Sequence, residues 1–219
     1  MPNLTSRSAL QAKVKDVDAA IFRLGNRYIK NYVMAIVIKQ FMETQKVAGL
    51  SYHSQVIALL CSLIARYSKD IRPDEAYLLG LLHDVGAFAL AELDENYGQV
   101  FISSLNKHYT LEEKEVQKFG TSHTAMGYVL SQGWSMPNYI SQTILLHHSR
   151  DLDDIKNDKL KSLVAIVELA HALQIKSFDA VHETRDNSQV YAQSIRILDL
   201  SEEDINHIVT EASKQIKLD

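Results

Sequence analysis

Six of the nine histidines in this 219-residue chain stand where a helix would turn them toward its apolar side. Positions i, i+3, i+4 and i+7 share one face of a helix. His53 therefore joins Val56, Ile57 and Leu60, and His83 joins Ala76 and Leu79. His123 goes with Met126, Gly127 and Leu130, while His147 and His148 close a stripe containing Ile140 and Ile144. His171 continues Leu160, Val164 and Val167, and one carboxylate, Asp84, adjoins His83. The remaining three differ: His207 is surrounded by Glu203, Asp204, Glu211 and Lys214, His182 lies in a polar segment, and His108 sits near a helix end.

A single core-side histidine is more often hydrogen-bonded to a backbone carbonyl than bound to a metal. Burying six without partners would desolvate many ring nitrogens, at about 1–3 kcal/mol each. A divalent cation held by neutral imidazoles and Asp84 offsets that cost, because each lone pair then faces a strong acceptor of its electrons. A nitrogen-rich set of His53, His83, Asp84, His123, His147, His148 and His171 suits a transition metal (iron, manganese, zinc or nickel, as one or two ions) better than magnesium, which prefers oxygen. One aspartate among neutral histidines leaves the site with excess positive charge, favouring an anion or hydroxide as a further ligand. A metal-free helical domain with hydrogen-bonded core histidines is the alternative.

The elements that would position these residues read as helices throughout, and no segment alternates with period 2. Apolar spacing predicts two helices joined at Gly25, on Val17, Ile21 and Leu24 and then Tyr28 to Val37. A third runs from about Ser51 to Tyr67, and a fourth from Pro73 to near Gly86, with Pro73 at a first helical position and Asp74 and Glu75 at the positive end of the dipole. Thr110 to Glu113 has the form of a capping box, Pro137 opens a helix reaching His147 or His148, residues 159–176 form a long amphipathic run, and Ser201 starts another helix. The polar stretches 149–158 and 182–189 read as solvated loops. The fold class is all-α.

Composition narrows the function. A net charge of −4 gives no basic footprint for nucleic acid. No signal-peptide core and no run of about 18 apolar residues is evident, so neither a membrane nor export is expected and the cytoplasm is the default. The single cysteine, Cys61, lies in an apolar run, reads as a small buried hydrophobe, and fits a reducing compartment.

Residues 80–86, GLLHDVG, resemble the GLLHDxG motif of HD-domain proteins. The order of residues 20–25 (AIFRLG), 52–54 (YHS), 120–123 (GTSH) with Gly127, 134–137 (WSMP), and His147 with His148 is similar to that of HDOD domains. The resemblance spans residues 16–177, with residues 1–15 as an N-terminal segment and 178–219 as a helical extension of one domain. It implies a multi-helix HD-like bundle whose N-terminal helical lobe is shortened. HDOD proteins are bacterial signalling modules related to HD hydrolases and to HD-GYP cyclic-dinucleotide phosphodiesterases, most of them regarded as regulatory outputs.

By that resemblance His53 matches the first histidine of the HD metal pattern, His83 and Asp84 the central dyad, and His123, His147 and His148 the later histidines of the two-metal version. His171 stands where HD hydrolases carry a late aspartate. Three departures matter: Ala87 replaces the lysine of HDxGK enzymes, no GYP follows His148, and Gly49 offers no acidic ligand. Hydrolysis needs an open metal position and positive groups on the leaving phosphate, so the metal ligands are better supplied than the phosphate clamp. Two functions remain expected. One is a regulatory domain with a protein partner in signalling; the other is a metal-dependent phosphohydrolase acting on a phosphomonoester, nucleotide or cyclic dinucleotide.

Overall fold

A computed structural model describes residues 49–177 and 185–216, together with residues 31, 33–38 and 40. The described residues form helices and connecting turns, with no strand among them, as the sequence pattern requires. Residues 33–38 are helical. The Gly25 junction, the helix expected before it, the 1–15 segment and His182 lie outside the described residues.

The first complete helix, α1 (Leu50–Ile64), follows Gly49, whose φ of 89° is in the left-handed region that favours glycine. A single 3₁₀ turn carries the chain on to Tyr67. The next helix, α2 (Pro73–Leu82), starts on Pro73 with Asp74 and Glu75 in its first turn. The single helix expected to reach Gly86 is broken instead: α2 stops at Leu82, His83 and Asp84 form a turn, and α3 (Val85–Leu93) begins anew. Two glycines account for the break by letting neighbouring backbones approach. A Cβ on Gly80 would lie 2.7 Å from the Ala58 Cα of α1, and one on Gly86 would lie 2.0 Å from the His123 carbonyl oxygen. The GLLHDVG segment thus presses its central dyad between two other helices.

Next come α4 (Tyr97–Ser103) and α5 (His108–Phe119). The capping box expected at Thr110 is not formed: the helix starts two residues earlier with Lys107 as its cap, and Thr110 lies within its first turn. A side-chain cap occurs instead at Ser122, whose hydroxyl accepts from the Ala125 N–H at 3.2 Å at the start of α6 (His123–Gly133). Pro137 caps α7 (Asn138–Leu146), which ends against His147.

The helix α8 (Asp158–Ser177) departs from the amphipathic expectation, because every residue from Leu163 to Ile175 is buried. A helix buried all round is a central element rather than a surface one; α8 packs on α1, α2 and α7 and on α9 (Arg185–Leu198). The supposed loop 149–158 also buries apolar weight, since Leu152 and Ile155 pack with Leu160, Val164 and Ala165 in a second cluster. In the supposed loop 182–189, residues from Arg185 onward are helical. The last helix, α10 (Glu202–Ile216), starts after Ser201 as expected, on a reciprocal cap: Ser201 Oγ accepts from the Asp204 N–H, and Asp204 Oδ2 accepts from the Ser201 N–H at 2.8 Å.

Cys61 is fully buried and burial pushes its thiol pKa up, in keeping with a small core residue. The stretch Pro73–Leu93 is long and apolar enough by composition to cross a membrane, but most of it is buried inside the protein and the Asp84 turn interrupts it.

Candidate metal centre

Five elements deliver the seven expected ligands to one place. His53 comes from α1, His83 and Asp84 from the α2–α3 turn, His123 from the first residue of α6, His147 and His148 from the end of α7, and His171 from the buried helix α8. All seven are buried, with His148 the most accessible at 9%.

The Asp84 carboxylate is the hub. Its Oδ2 lies 2.8 Å from His83 Nε2 and 3.2 Å from His53 Nε2, and its Oδ1 lies 3.3 Å from His147 Nε2 and 3.5 Å from His123 Nε2. His171 Nε2 is 3.0 Å from His83 Nε2. The donors fall into two sets sharing Asp84: His53, His83 and His171 on one side, and His123, His147 and His148 on the other, with ligand atoms in each set within 4.8 Å of one another.

The outer ring nitrogens fix which way the inner ones face. His83 Nδ1 lies 2.6 Å from the Gly80 carbonyl oxygen and His147 Nδ1 lies 2.7 Å from that of Ile144. A carbonyl only accepts, so each Nδ1–H donates, and in the neutral ring the Nε2 lone pair points at Asp84. Lone pair therefore faces lone pair at hydrogen-bonding distance. Among the described residues, Nε2 of His53, His123 and His147 and Oδ1 of Asp84 have no hydrogen-bond partner. A divalent cation between these donors converts repulsion to coordination, and the residues fit such an ion in type, number and orientation.

Electrostatics agrees with this design. Burial pushes His83 down to about 4 against the pull of Asp84, and burial with the neighbouring His83 and His53 also lowers His171. Burial would raise Asp84, but His83, His147 and His53 hold it well below the usual carboxylate range. These rings therefore stay neutral and the carboxylate ionised at neutral pH, the protonation states a metal requires.

Two residues at the centre escaped the sequence reading. Glu115 of α5 accepts from His123 Nδ1 at 2.8 Å and from the His123 N–H at 2.8 Å, and Tyr97 Oη donates to its other oxygen at 2.6 Å. Burial lowers the His123 pKa, yet the hydrogen bond to Glu115 and the nearby Asp84 charge leave it raised overall. Nothing in the charged run 112–115 marks Glu115 as the inward one. Glu168 is buried on α8, one turn before His171, with Oε1 3.4 Å from His148 Nδ1. Burial, followed by the Glu112 and Asp84 charges, raises its pKa well above the usual range. The spacing Glu168-x-x-His171 places both on one helix face and was the available signal. Asp84 is therefore accompanied by two further buried acids, Glu115 and Glu168, and the expectation of a lone aspartate among histidines is corrected.

His207 stays outside the centre, exposed on α10 with Nδ1 2.8 Å from Tyr67 Oη. Ala87 is fully buried on α3, so the position matching the HDxGK lysine presents a methyl group.

Comparison with known proteins agrees with this architecture. The HDOD domain model matches residues 6–150. A Geobacter sulfurreducens HDOD domain protein of unknown function is 25% identical, with a TM-score of 0.62 over 93% of this chain and 72% of that one. The MmoQ response regulator of Methylococcus capsulatus is 21% identical, with a TM-score of 0.58 over 74% of this chain and 61% of that one. A putative phosphohydrolase from Shewanella amazonensis is 19% identical, with a TM-score of 0.62 over 95% of this chain and 76% of that one. Among curated proteins none matches. With its family match covering more than half the sequence and its His83–Asp84 dyad at the hub of a histidine pocket, the chain belongs to the HDOD family.

Proposed function

We propose that this chain is a bacterial, cytoplasmic signalling domain whose output is a contact with a protein partner. Its HD pocket holds one or two divalent transition-metal ions in a structural or sensory role. The observation carrying this reading is the pairing of a well-built ligand set with a buried alanine, Ala87, at the position matching the phosphate-engaging lysine. Donors converge on Asp84 from five elements, yet all are buried and Ala87 offers a methyl group where a cation would engage phosphate. Bound metal would supply Lewis acidity and a water of lowered pKa. The protein's own residues hold the ions, fix the imidazole tautomers and tie α1, α3, α6, α7 and α8 together around one carboxylate. Burial of Cys61 without a disulfide accords with a reducing compartment.

The second reading, a phosphohydrolase for a phosphomonoester, nucleotide or cyclic dinucleotide, is favoured by the completeness of the same ligand set. A panel of these esters with protein loaded with manganese, iron, zinc or nickel separates the two. No turnover above that of the free ion is expected. Turnover that vanishes in a folded Asp84→Ala variant would establish the hydrolase instead.

A further inference from the structure

The two ligand sets approach each other at a second place besides Asp84. His148 belongs to one set and His171 to the other, and Glu168 lies with both: the ligand atoms of these three residues fall within 4.8 Å of one another. Glu168 is 2% exposed, and among the described residues its ion-pair contact is to His148 Nδ1, at a long 3.4 Å. A buried carboxylate is normally paired more closely than this or coordinates a metal.

Three separate ions cannot be assembled from these groups. His148, His171 and Asp84 each occur in two of the three clusters, and a neutral imidazole whose other nitrogen carries hydrogen has a single lone pair to give. Two ions are the consistent count: one on His53, His83, His171 and Asp84 Oδ2, the other on His123, His147, His148 and Asp84 Oδ1. Glu168 then stands beside a ligand of each.

We propose that Glu168 is a further metal ligand of this centre, standing between His148 of one position and His171 of the other. The proposal rests on the metal-binding reading of the pocket. Its chemical consequence is charge: two divalent ions with Asp84 alone carry three net positive charges, and Glu168 lowers that to two. The need for an external anion weakens accordingly. It also gives α8, the central helix, two ligands one turn apart, so that ion binding would clamp the axis of the bundle.

The test uses the full chain, stripped by chelation and titrated with zinc alone by calorimetry, alongside the same titration of Glu168→Gln, which keeps side-chain shape and removes the charge. Wild type is expected to take up two ions, and the variant to lose one or bind it at least about tenfold more weakly. Uptake of two zinc ions by the variant with wild-type affinity would overturn the Glu168 assignment and leave the metal site standing. Failure of wild type to bind zinc would overturn the metal reading and the assignment together. Should the variant not fold, the visible spectrum of cobalt-loaded wild type decides: five-coordinate bands support the extra carboxylate, and purely four-coordinate bands refute it.

Discussion

The two halves of the centre share Asp84 but are supported differently. On the His53–His83–His171 side the Gly80 backbone carbonyl orients His83, and burial keeps His83 and His171 easily deprotonated. On the His123–His147–His148 side a buried carboxylate, Glu115, holds His123 by ring and backbone alike and makes it more basic. Backbone support orients a ligand, whereas carboxylate support also strengthens its electron donation. The second position should therefore bind its ion more tightly at neutral pH and be the more sensitive to acid.

Removing what the halves share should have the largest effect. Asp84→Ala deletes an oxygen from both positions and leaves four Nε2 lone pairs converging without an anion, so elemental analysis should find both ions lost. Retention of either ion would show that the halves are independent. Next in size are the glycines that bring the halves together. Gly86→Ala drives a methyl group into the His123 carbonyl and should cost on the order of 3 kcal/mol, while Gly80→Ala meets Ala58 less severely and should cost about 1–3 kcal/mol, both read by denaturant unfolding. Equal and small costs would mean that the close approaches are slack.

A finer contrast comes from Glu115→Gln, which should weaken the second ion by about 10–100-fold and leave the first unchanged in a zinc titration. The smallest effect is that of pH. Protons and metal compete for the same Nε2 lone pair, and a histidine with a raised pKa takes the proton sooner as pH falls. His123 is raised and His83 is lowered to about 4, so between about pH 7 and pH 5 the second position should empty first. Loss of both ions in a single step would remove the asymmetry.

Much of this was legible in the sequence. Helical stripes placed His53, His83, His123, His147, His148 and His171 toward the interior, and the dyad fixed Asp84; the structure brings all seven together. The helix break at Leu82 was not legible, because apolar periodicity continues through His83 and only the packing of Gly80 and Gly86 on other helices demands a turn. Residues 163–175 misled for a related reason: Glu168 and Gln174 suggest a solvated face, yet both are buried and Glu168 lines the centre. Glu115 was hidden among like neighbours, since a run of charges reads as surface until a partner from another helix selects one.

The most direct test is the metal content of folded protein purified without a metal-affinity tag from cells supplied with manganese, iron, zinc and nickel. The proposed metal reading of the arrangement around Asp84 predicts one to two transition-metal ions per chain. A folded, stable protein with metal far below one ion per chain would contradict it and leave a histidine core held by hydrogen bonds alone.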